Sequence, residues 1–217
     1  MTTDCKLCGS PTVKIKHHVF NIYYRCTNCE YIRKDKSFFL SPKEELHIYD
    51  NHNNSIDDPR YVEYFYKFLN DAVFDFAPKG KKGLDFGSGP SPVLAQILER
   101  DHDYHMDIYD LFYAKYKVYE GKKYDLVTST EVAEHIKDPI SYFRLLKSLL
   151  KEEGILAIMT LFHNNDDDHF LNWHYIRDKS HISFYTLKTL EFIAGEVGLE
   201  IIHSNNERYT TFMLDRS

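Results

Sequence analysis

The 217-residue sequence predicts an α/β fold: a mostly parallel sheet covered by helices, closed by an antiparallel hairpin, with a small cysteine-bearing appendage in front. Three observations carry this expectation. From Lys82 onward strand-like runs alternate with helix-like ones, the rhythm of βαβ units. After Gly198 that rhythm stops, and GLEII and RYTTFML meet at the turn signal SNNE with no helix between them. All four cysteines lie in the first 29 residues, as Cys5-x2-Cys8 and Cys26-x2-Cys29.

The cysteines come first in chain order. Two CxxC pairs 17 residues apart fit four thiolates around one tetrahedral zinc ion, with the intervening segment as a hairpin and Gly9 suited to the turn after the first pair. A zinc ribbon is therefore expected over residues 1–40. Disulfides are the alternative. The sequence start, MTTDCKLCGS, has neither the basic nor the apolar part of a leader, and no apolar run approaches the length of a membrane span, so the chain reads as cytoplasmic, where thiols stay reduced.

Charge separates the two ends. Within residues 1–40 the basic side chains Lys6, Lys14, Lys16, Arg25, Arg33, Lys34 and Lys36 outnumber Asp4, Glu30 and Asp35 by four, which leaves −10 of the formal −6 for the rest. Four thiolates with one zinc ion carry −2, so the loaded ribbon keeps about +2. Phe20, Tyr23, Tyr24 and Tyr31 interleave with Arg25 and Arg33, a pattern that serves RNA stacking or plain hairpin packing.

Residues 41–78 read as a linker and a helix. Asp58 supplies an N-cap and Pro59 a first helical residue, and Val62, Phe65, Leu69 and Val73 recur at helical spacing, so a helix is expected from about 59 to 75. Residues 79–217 form the main domain. KGLDFG, DYHMDIYD, YDLVTST and ILAIMTL read as strands; PSPVLAQILERD, with Ser91 as cap, DPISYFRLLKSLLKEEG and TLKTLEFIAGEVG read as helices.

The stretch LDFGSGPSP then decides what such a fold holds. In a doubly wound sheet a ligand lies at the carboxyl ends of the strands, and glycines after the first strand let it approach the backbone. A dinucleotide turn wants a third glycine where this chain has Pro92. Asp85, two residues before Gly87-Ser88-Gly89, puts a carboxylate under the turn, which suits a cation better than a diphosphate.

On these residues the chain resembles the class I S-adenosylmethionine-dependent methyltransferases over roughly residues 55–214. LDFGSGPSP is similar to their glycine motif, MDIYD to the strand ending in a ribose-binding acid, and YDLVTSTEVAEHIKDP to the fourth-strand motif. KEEGILAIMT, HISFYTLKTLEFIAGEVGLEII and the hairpin are similar to the later elements. The branch it most resembles contains the ubiquinone-biosynthesis O-methyltransferases. The resemblance implies a seven-stranded Rossmann-like sheet, although few residues separate Asp110 from Asp125 and the third strand must be abbreviated. It implies that Asp85, Gly87, Ser88 and Gly89 meet the methionine part, that Asp110 accepts both ribose hydroxyls with Asp107 as competitor, and that Thr130 and Glu131 face the methionine and the acceptor.

Methyl transfer is an in-line displacement, so alignment and exclusion of water are the protein's main tasks, with a base where the acceptor is protonated. His135, four residues after Glu131, is one candidate. The segment 163–185, FHNNDDDHFLNWHYIRDKSHISFY in context and similar to an NWHYxRD segment of relatives, is expected to cover the acceptor side and supply His174, Arg177, His181 and Tyr185. Three functions are expected in descending order: methylation of a small-molecule acceptor, with oxygen preferred; RNA methylation through the ribbon; and cofactor binding without turnover, the ribbon docking on a protein partner.

Overall fold

The computed structural model describes residues 4–17, 21–50 and 55–216. Three strands, β1 (Thr12–Lys16), β2 (Ile22–Cys26) and β3 (Ile32–Lys34), form an antiparallel ribbon. A 3₁₀ turn over Lys36–Phe38 and helix α1 (Pro42–Tyr49) lead away from it. Ser41 and Glu44 form a capping box that fixes the start of α1.

The main body follows. Helix α2 (Pro59–Ala72) starts on the Asp58 side chain, which accepts from Arg60 N, and ends close to where its apolar spacing ends. Strand β4 (Lys82–Phe86), helix α3 (Val93–His102), β5 (His105–Tyr109), β6 (Tyr124–Thr130), α4 (Pro139–Ser148) and β7 (Leu150–Met159) keep the alternation. Asp138 caps α4 by accepting from Ser141 N. At α3 the cap is Pro92 rather than Ser91, and no side chain bonds there, because the glycine turn places Ser91 a residue too early. Short elements come next: α5 (Asp167–Asn172), a 3₁₀ turn over His174–Arg177 and β8 (Ser183–Phe184). Helix α6 (Leu187–Val197) and the hairpin β9 (Leu199–Ser204) and β10 (Tyr209–Leu214) complete the chain.

The main sheet has the order β5-β4-β6-β7-β10-β9, with β4 to β7 parallel and the hairpin antiparallel. It contains six strands among the described residues, not seven. Residues 110–123 form turns and one isolated bridge between Asp110 and Ala114, since a further parallel strand would need two crossovers of roughly a dozen residues each. Helices α2 and α3 bury Phe68, Leu69, Ile97 and Leu98 on one face of the sheet; α4 and α6 bury Phe143, Leu146, Leu190 and Ile193 on the other.

The ribbon does not stand apart. Strand β8 pairs antiparallel with β3, Ile32 opposite Phe184, which makes a second sheet of order β1-β2-β3-β8. Ile15, Tyr23 and Ile32 from the ribbon share a core with Phe170, Trp173, Ile176 and Phe184. Tyr31 bonds Ser183 at 2.6 Å, Thr189 donates to the Cys29 carbonyl at 2.8 Å, and Arg25 pairs with Asp167 at 2.6 Å. Tyr23 and Tyr31 are thus packing residues, and Tyr24 lies under the Arg33 guanidinium. Phe20 lies outside the described residues.

Candidate functional site

A cavity of about 1040 Å³ opens at the carboxyl ends of β4, β5 and β6, with α1 and α2 along one side. Its floor is the glycine turn. Gly87 has φ 88° and Gly89 φ 66°, both left-handed, and a Cβ on Gly87 would lie 2.2 Å from a Val132 methyl. The backbone N–H groups of Gly87 and Ser88 donate to the Tyr109 carbonyl at 2.7 and 3.1 Å, which ties the turn to the end of β5. The Ser88 hydroxyl oxygen is buried with no hydrogen-bond partner among the described residues.

Two acids flank the turn. Asp110 accepts from the N–H groups of Gly89, Phe112 and Tyr113 at 3.0, 2.7 and 3.0 Å, so its carboxylate is fixed and still has lone pairs for hydroxyl donors. Asp85 is 2% exposed and accepts from the Thr128 hydroxyl at 3.0 Å. Burial pushes its carboxyl up to about 7, the Thr128 bond opposing and Asp110 adding to the rise. The structure separates the two ribose candidates: Asp107 receives Lys122 and Tyr124, each at 2.7 Å, away from the cavity.

At the other end of the cavity β6 stops at Thr130, and Glu131 turns the chain with φ 54°. Thr130, Glu131, His135, Asp178 and His181 all line the cavity. The Glu131 carboxylate accepts from Tyr64 of α2 at 2.9 Å and from Tyr175 at 3.0 Å. Tyr175 also reaches Glu134, a fully buried acid whose Oε2 has no partner among the described residues. Burial, with the Glu131 charge adding to it, pushes Glu134 far above the usual carboxylate range. His135 and His181 stand edge to face, centroids 4.8 Å apart. His181 Nδ1 lies 2.8 Å from the Tyr175 carbonyl, so Nδ1 carries the proton and Nε2 keeps a lone pair. Burial lowers the His181 pKa, with Asp178 opposing, which favours that neutral ring. His135 Nδ1 lies 3.0 Å from the Tyr49 hydroxyl and 3.3 Å from the Ser180 carbonyl. Ligand atoms of Glu134, His135 and His181 lie within 4.8 Å of one another, close enough to share a divalent ion.

The expected covering segment contributes less than its histidine content suggested. Its Asp178 and His181 reach the cavity. His174 and Arg177 are exposed on the outer side of the 3₁₀ turn, whose inner side is occupied by Tyr175 and Ile176. Tyr185 is fully buried in the core and donates to the Ala133 carbonyl at 2.8 Å, so it supports the His135 turn from behind. Sequence reasoning assigned no role to Tyr49, Tyr64, Glu134 or Tyr175. The tyrosines read as packing, and the one available signal for Glu134 was its place in EVAEH beside His135.

The cysteines form a second site. Cys5 Sγ and Cys29 Sγ are 3.7 Å apart, Cys8 Sγ and Cys26 Sγ 3.3 Å, and no disulfide joins them. All four sulfurs lie within 4.8 Å of one another. Tetrahedral zinc at a Zn–S distance of about 2.3 Å requires sulfurs about 3.8 Å apart, so the set fits. The N–H groups of Leu7 and Asn28 point at Cys5 and Cys26, each at 3.4 Å, as second contacts that favour thiolates.

Fold and site together define a class: a doubly wound sheet whose glycine turn and flanking acids face a nucleoside-sized, acid-lined cavity. A family described as a methyltransferase domain matches residues 60–204, and the chain belongs to that family. Among curated relatives, the ubiquinone biosynthesis O-methyltransferase of Glaesserella parasuis serovar 5 (strain SH0165) is 32% identical over 82 residues, 36% of this chain and 35% of that protein. The protein of the same description from Dinoroseobacter shibae (strain DSM 16493 / NCIMB 14021 / DFL 12) is 35% identical over 85 residues, 38% and 32% of the two chains. The chain thus matches about a third of the length of these relatives. The mitomycin 7-O-methyltransferase MmcR superimposes with a TM-score of 0.55 at 11% identity, covering 73% of this chain and 58% of that one. The O-methyltransferase NcsB1 from neocarzinostatin biosynthesis, solved with S-adenosyl-L-homocysteine and 1,4-dihydroxy-2-naphthoic acid, gives 0.52 at 12%, covering 81% and 62%. At these identities the likeness is one of fold.

Proposed function

We propose that this protein is an S-adenosylmethionine-dependent methyltransferase that acts on a small-molecule acceptor, with oxygen as the atom methylated. The observation that carries the reading is Asp85, buried beneath the glycine turn with Asp110 across from it. A desolvated carboxylate beside another acid repels a diphosphate and attracts a cation. Asp85 holds the ammonium of the cofactor's methionine part, Ser88 offers its hydroxyl to the same part, and Asp110 accepts the ribose hydroxyls. The cofactor supplies an electrophilic methyl group when bound.

On the acceptor side, His181 takes the hydroxyl proton at Nε2, and His135, braced by Tyr49, orients the acceptor. Glu131 is held in place by Tyr64 and Tyr175 at the wall of the cavity. We propose further that Cys5, Cys8, Cys26 and Cys29 hold one structural zinc ion, and that residues 1–40, 41–78 and 79–217 divide into ribbon, bridging helices and methyltransferase domain. Calorimetry tests the cofactor reading: S-adenosylhomocysteine should bind one per chain while NAD shows no heat. Binding of NAD with no response to S-adenosylhomocysteine would overturn it.

A further inference from the structure

We infer that a second cavity, at the seam between ribbon and main body, binds a small phosphorylated ligand. It has a volume of about 310 Å³, and Lys6, Arg33, Lys34, Lys36 and Lys137 line it against one carboxylate, Asp35. That carboxylate is already engaged: Oδ1 accepts from Ser37 N and Oγ at 2.9 and 2.7 Å, and Oδ2 from Tyr24 at 3.0 Å. Five cations around one satisfied acid stand out in a chain of formal charge −6. Among the described residues Lys6, Lys34, Lys36 and Lys137 enter no ion pair.

Lys34 is the most telling of them. It is 1% exposed, and its ammonium has the Lys179 carbonyl, at 2.7 Å, as its hydrogen-bond partner. A buried ammonium with no carboxylate in direct contact is costly, and an anion in the adjoining cavity lowers that cost through the local potential. Burial brings the Lys34 pKa down to about 8, with the Asp178 charge opposing the fall. Two further cations are held in place by aromatic rings, Arg33 over Tyr24 at 4.4 Å and Lys137 over Phe39 at 5.7 Å. The volume sits at the lower limit of small-molecule pockets, which suits a phosphate ester or diphosphate and excludes a polymer from its interior. The −10 carried by the rest of the chain works against extended contact with a nucleic acid backbone. This site does not depend on the methyltransferase reading.

Pyrophosphate titrated calorimetrically into the zinc-loaded full-length protein at low salt is the test. Saturable binding of one pyrophosphate per chain is expected, at least tenfold weaker in the Lys36→Glu, Lys137→Glu double variant and unchanged by saturating S-adenosylhomocysteine. Should the double variant fail to fold, Lys36→Ala, Lys137→Ala carries the same comparison, since both side chains are exposed. No binding, equal affinity in the variants, or saturable binding of a 12-nucleotide single-stranded RNA without binding of pyrophosphate would each overturn the proposal.

Discussion

Lowering the pH should loosen cofactor binding through Asp85. Its carboxyl is raised by burial from 3.8 to about 7, so the free protein is close to half protonated there at neutral pH. A bound ammonium requires the ionised form. The observed association constant then scales with the ionised fraction, about one in eleven at pH 6 and ten in eleven at pH 8, which makes S-adenosylhomocysteine binding about tenfold weaker at pH 6. The same group acts in the opposite sense on the unliganded fold. Because its folded pKa lies above its unfolded one, its contribution to stability is complete below about pH 4 and is lost as pH rises through 7. The loss is about 1.4 kcal/mol per unit and at most about 4 kcal/mol in all. Ligand-induced stabilisation should therefore be larger at pH 8 than at pH 6. The assay is calorimetric titration from pH 6 to 8 at constant ionic strength, on the wild type and on Asp85→Asn. The amide retains a carbonyl for Thr128 and loses the charge, so the variant should bind at least tenfold more weakly at pH 8 and show no dependence on pH. A flat wild-type profile, or a variant that keeps the wild-type slope, would refute the assignment of the titrating group.

Other outcomes follow from the geometry. His181→Gln should lower turnover by roughly 10² to 10⁴ with S-adenosylhomocysteine affinity retained, whereas His174→Gln, on the outer surface, should stay within about twofold of wild type, as steady-state kinetics with a hydroxylated small-molecule acceptor will show. Tyr175→Phe removes the hydroxyl that bridges Glu131 and Glu134 and leaves buried polar atoms without that partner, so urea denaturation should report a loss of about 1 to 3 kcal/mol. Metal analysis should find one zinc ion per chain, and Cys26→Ser or prolonged chelation should remove it and lower the melting temperature; a metal-free protein of unchanged stability would argue against the site. Asp110→Asn should weaken S-adenosylhomocysteine at least tenfold by calorimetry, while Asp107→Asn should not.

Legibility in the sequence followed locality. Helices α2 and α4 could be read because Asp58 and Asp138 cap them and prolines follow, all within one turn. The glycine turn and Asp110 could be read because a strand end, two glycines and the next strand's acid act over short distances. The missing strand could be anticipated from chain length but not its full loss, since turn formation in residues 110–123 rests on how tightly Asp110 gathers the amides of Phe112 and Tyr113. His174 and His181 could not be ranked by composition. The 3₁₀ turn sends His174 outward, and that turn is set by Tyr175 docking on Glu134 more than 40 positions earlier. Tyr49 and Tyr64 reach the cavity only because α1 and α2 fold back over the strand ends.

The pairing of β8 with β3 bears on how this chain can be divided. A fragment beginning at α1 would leave β8 with an open edge next to Phe170, Trp173 and Phe184, and an uncovered strand beside aromatic surface invites self-association. Lys34 N also donates to the Ile182 carbonyl at 2.8 Å, and Ile182 N donates to the Glu134 carbonyl at 2.8 Å. The strand that follows the second cysteine pair and the histidine turn are therefore joined through Ile182 by backbone hydrogen bonds. Exchange of the ribbon for that of another protein would have to carry residues 163–185 along with it, although α1 through β7 lie between the two stretches in the chain.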